Sequence, residues 1–217
     1  MGKTTVAVGI ARLALRRGRV PIPYKPVETG CDPEPADARR LWEAARPPTT
    51  LAETCPFHLA LPAAPAAAAA AIGIRLRVAE LVRGAIALAA HGDFLIVEGA
   101  GGLLSPYDEV STNADLAAQL ELPVLLVARM ALGTINHVAL TVAELRRRDL
   151  PIRGIVLVRT TSPVEPHEGS NATLMETLTG IRPFGPMPFL SPAERADPDR
   201  IADALAPVLP ALFDSAG

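Results

Sequence analysis

Apolar residues at Val6, Ile10, Leu13 and Leu15 recur at helical spacing as far as Gly18, and Val20-Pro-Ile-Pro-Tyr24 then reads as a short extended segment, because proline cannot continue a helix. A helix leads into a strand. Further on, the spacing predicts helices over Asp37 to Ala45, Arg75 to Ala90, Ala131 to Arg148 and Asn171 to Thr179, and a last one over Asp199 to Phe213 broken near Pro207 or Pro210. Phe94-Leu-Ile-Val97, Val124-Leu-Leu-Val127 and Arg153 to Val158 read as strands, the first two as continuous apolar runs that suit strands buried on both faces. The alanine-proline stretch 62–71 reads as a loop and helix start. The α-β-α-β alternation predicts an α/β fold, a mostly parallel sheet with helices on both faces and ligands at the carboxyl ends of its strands. Polar residues just after strands are therefore the ones to watch.

The chain has 217 residues, 49% apolar and 4% aromatic, with 21 basic against 23 acidic side chains. That length suits one domain, residues 1–217, with a single well-filled core. A formal charge of −2 gives neither a basic footprint for nucleic acid nor a polybasic patch for a membrane surface. The weakly polar run Leu59 to Ile74 carries two prolines and falls short of the roughly 20 apolar residues a bilayer demands. The N-terminus, with Lys3 and then Arg12, Arg16 and Arg17, lacks the apolar region and cleavage site of a secretory signal, so a cytoplasmic location is expected. In that reducing compartment Cys31 and Cys55 are expected as free thiols, and sulfur builds no metal site.

Candidate chemistry begins with Gly2-Lys3-Thr4-Thr5, which runs into a helix and matches the second half of a G-x-x-x-x-G-K-[ST] phosphate loop. In such a loop, backbone N–H groups surround the phosphates, the lysine reaches the β/γ oxygens and the hydroxyl ligates Mg²⁺. Glu98 directly follows the strand 94–97 and precedes Gly99, Gly101 and Gly102; a carboxylate there can hold the metal that neutralises phosphate charge. Lys25 ends the segment before Pro26 and can add a second positive charge over a transferring phosphate. Asp37 reads either as an N-cap or as a second carboxylate on the metal, and taken alone it reads as a cap. Ala131 to His137 opens a helix after a strand, so its free N–H groups offer an anion site that could accept a carboxylate. His137 reads as a packed, satisfied histidine. No Ser/His/Asp or Cys/His triad has sequence support.

Together these residues resemble one family, the dethiobiotin synthetases, over nearly the whole chain. The resemblance rests on GKT at 2–4, YKPVETG at 24–30, VEGAGGLLSP at 97–106, ADLAAQLELPVLLVAR at 114–129 and LGTINH at 132–137. It implies a P-loop NTPase-type fold and a cytoplasmic homodimer. The implied reaction closes a ureido ring on 7,8-diaminononanoate with CO2 and ATP, with Mg²⁺ as cofactor. An amine would capture CO2 as a carbamate, the carbamate oxygen would take the γ-phosphoryl group, and the second amine would displace phosphate. Carried over by position, Lys3 and Lys25 would stabilise the transferring phosphate, with Gly2, Lys3, Thr4 and Thr5 around the nucleotide. Thr4, Asp37 and Glu98 would organise Mg²⁺. Thr29, Gly101, Gly133, Thr134 and Asn136 would bind the substrate, Gly133 to Asn136 holding its carboxylate across a dimer interface.

Two departures qualify the resemblance. Where the family usually has an asparagine that reads adenine, this chain has Val158-Arg159, so base recognition is expected to rest on backbone groups near Pro186 to Leu190, with Pro186 and Pro188 beside the nucleotide, or to be relaxed. The family's first strand and first four phosphate-loop residues, roughly 10 to 13 positions for a strand of about 5 to 6, would precede Met1, and a start codon assigned too late is the expected reason. Two rival readings are a non-catalytic nucleotide-sensing module of the same fold and a MinD/ParA-type partitioning ATPase. The first needs neither Lys25 nor LGTINH; the second predicts an amphipathic tail or a basic surface that residues 199–217 do not supply.

Overall fold

The computed structural model describes residues 2–162, 164 and 168–209, so the part of the expected last helix beyond Leu209 lies outside the described residues. Two compact units form, one from the segment up to Ile10 together with the chain from Leu122 on, the other from Ala11–Glu121. Helix α1 (Lys3–Arg16) begins in the first and ends in the second.

In the Ala11–Glu121 unit, strands β1 (Pro21–Tyr24) and β2 (Val27–Thr29) are followed by helices α2 (Ala36–Ala45) and α3 (Leu51–Thr54) and strand β3 (Phe57–Leu59). Helices α4 (Pro65–Ala70) and α5 (Val78–Ala89), strand β4 (Phe94–Val97) and helix α6 (Asn113–Leu120) complete it. Strand β1 pairs with β4 and β2 with β3, both parallel. Val27, Leu59, Leu76, Leu81, Tyr107 and Leu116 form one buried cluster, and Ile22, Tyr24, Ala85 and Leu88 another.

In the other unit, strand β5 (Val124–Arg129), helix α7 (Thr134–Arg147), strand β6 (Ile152–Val158), helix α8 (Glu168–Thr179) and strand β7 (Phe184–Met187) precede helices α9 (Pro192–Ala196) and α10 (Pro198–Leu205). The three strands form a parallel sheet in the order β5-β6-β7. Its core packs Val138 and Val142 of α7 and Met175 of α8 with Ile155 and Leu157 of β6. Gly9 lets α1 lie close on α10: a Cβ there would stand 2.8 Å from Leu205 Cδ2.

The expected α/β architecture with parallel strands is present, with several corrections. Strict alternation fails, since β1 and β2 are consecutive, as are α2 and α3, and α4 and α5. The unforeseen strands β2 and β3 have three residues each, too few to show a period. The short helices α3 and α9 begin at capping boxes, Thr50/Glu53 and Ser191/Glu194. Strands β4 and β5 are only partly buried rather than buried on both faces, whereas in β6, which is flanked on both sides, Gly154 to Val158 are buried. Helix α7 starts three residues later than expected, after Gly133 with φ 86°. Helix α10 ends at Leu205, two residues before Pro207.

Candidate active site

Strands β1 and β4 run parallel with Tyr24 opposite Val97, so the next residue on each, Lys25 and Glu98, emerges at the carboxyl end of the same pair. The Glu98 amide donates to the Tyr24 carbonyl at 2.9 Å, and the Lys25 amide donates to the Thr54 carbonyl at 2.9 Å, so both backbones are held. Lys25 Nζ donates to Glu98 Oε1 at 2.9 Å, with both side chains about 95% buried. Burial works against the lysine charge, and Glu98, then Asp37 and Glu28, more than offset it, so the ammonium is held above its ordinary pKa. Lys25 is a fixed positive charge.

The glycine loop after Glu98 is clamped from α6. Asn113 Nδ2 donates to the carbonyls of Ala100 and Gly102, each at 2.7 Å, and its Oδ1 accepts from the Tyr107 hydroxyl at 2.6 Å. Gly102 N–H donates to Ser105 Oγ at 2.8 Å. A Cβ at Gly99 would stand 2.3 Å from Asn113 Oδ1, and Gly101 has φ 78°, so this turn needs glycine at both places. Gly101 is exposed and Thr29, at the end of β2, is half-buried.

Asp37 is not a cap, contrary to expectation. It is the second residue of α2, whose N-cap position is Pro35, a residue with no side-chain oxygen to offer. Its own N–H and that of Ala38 donate to Glu28, at 3.0 Å to Oε1 and 2.8 Å to Oε2. Its carboxylate is 45% exposed, with Arg40 at 3.7 Å. Glu28, buried in β2, is a site residue that motif spacing does not single out; its sequence signal is no more than an acid between Val27 and Thr29. Cys31 and Cys55 are free thiols, as expected, and both are buried, which pushes the Cys55 thiol up to about 12.

In the other unit, Gly2 (φ 99°) precedes α1, and a cleft beside it is lined by residues that include Gly2, Thr5, Val158, Arg159, Pro188 and Arg195. Thr4 is buried, Lys3 is half-buried, and neither lines this cleft; Pro186, joined to Gly185 by a cis peptide, does not line it either. Val158 packs against the loop: a Cβ on Gly2 would lie 3.3 Å from its Cγ1. Arg159, Thr160 and Arg195 were not anticipated there; Arg159 Nε also donates to Glu168 at 2.7 Å. On α7, Thr134 is buried while Gly133, Asn136 and His137 are exposed. His137 is thus not the packed residue expected, because the buried stripe of that helix runs through Thr134, Val138, Val142 and Leu145.

Thr4, Asp37 and Glu98 carry oxygen donors only, the chemistry that suits a hard cation such as Mg²⁺. Among the described residues no three His, Cys, Asp or Glu side chains cluster in one place. No described helix is long and apolar enough to cross a membrane.

A family model described as an AAA domain matches residues 1–197. An ATP-dependent dethiobiotin synthetase BioD of Anaeromyxobacter dehalogenans (strain 2CP-C) is 46% identical over 97% of this chain and 93% of that protein. A second, from strain 2CP-1 of that species, is 46% identical over 87% of this chain and 85% of its own length. One from Bacillus cereus (strain B4264) is 34% identical over 88% of this chain and 80% of its own. Relatives this similar, matched over most of this chain and of their own length, leave one conclusion: the chain belongs to the dethiobiotin synthetase family.

Proposed function

We propose that the protein is an ATP-dependent dethiobiotin synthase that closes a ureido ring on 7,8-diaminononanoate with CO2. The observation that carries this reading is the buried Lys25–Glu98 pair at the ends of two parallel strands, within the KPVETG and VEGAGG segments of a chain 46% identical to a named dethiobiotin synthetase. One amine adds to CO2 and loses a proton to give a carbamate. A carbamate oxygen attacks the γ-phosphorus and ADP leaves, forming a carbamic-phosphoric anhydride. The second amine then attacks the carbonyl carbon, and phosphate and a proton depart as the ring closes.

Lys25, charged throughout and fixed by Glu98, opposes the negative charge that develops on the transferring phosphoryl oxygens. Lys3 adds charge on the nucleotide side, and Gly2, Thr5 and Pro188 border it, with Pro186 assigned to the same region. Thr29 and Gly101 face the diamine, while Gly133, Thr134 and Asn136 take its carboxylate at the start of α7, where helix amides have no intrahelical acceptor. Bound Mg²⁺ would neutralise β- and γ-phosphate charge, and Thr4, Asp37 and Glu98 are the residues assigned to hold it. The exposed Leu132 and Leu140 beside Asn136 offer apolar surface for a second copy, and the proposed form is a cytoplasmic homodimer without nucleic-acid or membrane partners. A sensing module of the same fold, or a MinD/ParA-type ATPase, would leave the diamine motifs without a task.

Purified protein incubated with diamine, bicarbonate and MgATP is expected to yield dethiobiotin and ADP in equal amounts, and neither product when any reactant is omitted. Triphosphate hydrolysis indifferent to the diamine would refute the assignment.

A further inference from the structure

We propose that Glu28 is a positioning residue for this reaction, holding Asp37 in register with Lys25 and Thr29 by tying the first turn of α2 to strand β2. The inference rests on the role given to Asp37 above and extends it to a residue with no assigned task.

A carboxylate 92% buried in the middle of a strand is costly unless its oxygens are satisfied. Here both are, by the second and third amides of α2. The bonds are charge-assisted and sit at the positive end of a ten-residue helix, where an acid is favoured. Helices are ordinarily capped by the residue just before them, and a serine or aspartate at position 35 would have served α2 as well. Pro35 cannot, and the cap comes instead from nine and ten residues upstream. A local cap would secure the helix alone. The remote one also closes the loop 30–35 and fixes the Asp37 backbone to the strand that follows Lys25 and ends at Thr29. That restraint acts on a residue whose own carboxylate is 45% exposed, with Arg40 at 3.7 Å.

The test uses the full chain, with Glu28→Ala, Glu28→Ala/Pro35→Ser and Asp37→Ala as variants. Amide hydrogen exchange without nucleotide or metal is followed at residues 37 and 38, together with the Mg²⁺ concentration giving half-maximal dethiobiotin formation. In Glu28→Ala both amides should exchange at least about tenfold faster. The Mg²⁺ requirement should rise about tenfold or more, with kcat at saturating Mg²⁺ within about threefold of the parent. Adding Pro35→Ser supplies a local cap without the tether, so melting temperature should recover while the Mg²⁺ requirement stays high. Full recovery of both, or no change in Mg²⁺ requirement in Glu28→Ala, would reduce Glu28 to a helix cap and overturn the proposal. If Asp37→Ala itself leaves the Mg²⁺ requirement unchanged, the assigned role of Asp37 is wrong and the proposal falls with it. The first two failures leave that role standing.

Discussion

Replacing Lys25 by methionine separates the two tasks of the buried pair. The substitution keeps the length of the side chain and removes its charge, leaving Glu98 in a site 95% buried without its ammonium at 2.9 Å. Breaking a buried pair on one side typically costs about 3 to 5 kcal/mol, because the remaining charge is uncompensated. For a chain of this length each kcal/mol lowers Tm by about 2 to 4 °C, so Tm should fall by about 6 to 20 °C. Lys25→Met/Glu98→Gln, which removes both charges, should recover most of that loss, since a neutral pair of similar volume has no desolvation debt. Activity should behave differently. Loss of a contact made where transition-state charge develops costs about 3 to 4 kcal/mol in the barrier, so kcat should drop roughly 10²- to 10³-fold in Lys25→Met even where circular dichroism shows the protein folded. The double variant should be no more active. Because Lys25 is raised above its ordinary 10.5 in the folded protein, its contribution to stability is present below the unfolded value and is lost only as pH climbs past the folded one. The Tm difference between parent and Lys25→Met should therefore be level across the neutral and mildly alkaline range. A folded Lys25→Met enzyme with a rate within threefold of the parent, or a Tm unchanged by the substitution, would refute the reasoning.

Two further outcomes concern base selectivity and thiol chemistry. An apolar wall discriminates weakly between bases, whereas a site built to hydrogen-bond one edge rejects analogues strongly. With Val158 packed on Gly2 and offering no hydrogen bond, ATP, GTP and CTP should support dethiobiotin formation within about tenfold of one another, about 1.4 kcal/mol. Val158→Asn should sharpen the preference for ATP; a hundredfold preference in the parent would show that backbone groups read the base. Cys31 and Cys55 are buried with raised pKa values, Cys55 at about 12, so neither should react with a disulfide reagent at pH near 8 in the native protein, while both titrate in denaturant. Rapid labelling of the native protein would contradict the burial.

Local chemistry made much of this protein legible in its sequence. The helix from Lys3, the strand 94–97 and the strand ending at Val158 follow from apolar spacing and from where proline forbids a helix, whereas spacing alone carries α7 back through Gly133, whose positive φ instead starts that helix at Thr134. Motif spacing likewise marked Lys25, Glu98 and the glycines after it. What spacing could not supply was pairing between distant segments. That Lys25 meets Glu98 depends on the register Tyr24 opposite Val97, set by the packing of two strands seventy-three residues apart. Glu28 reads as an ordinary acid in a short strand until the fold brings the α2 amides against it, and Asp37 reads as a cap until that carboxylate takes the cap's place. His137 looked like a core residue because composition does not say which side of α7 is covered. Strands β4 and β5 have the sequences of strands buried on both faces, yet both are only partly covered, while β1, which likewise pairs along one edge among the described residues, is buried throughout; what covers the faces of a strand is a property of the assembled fold that no run of apolar residues encodes by itself.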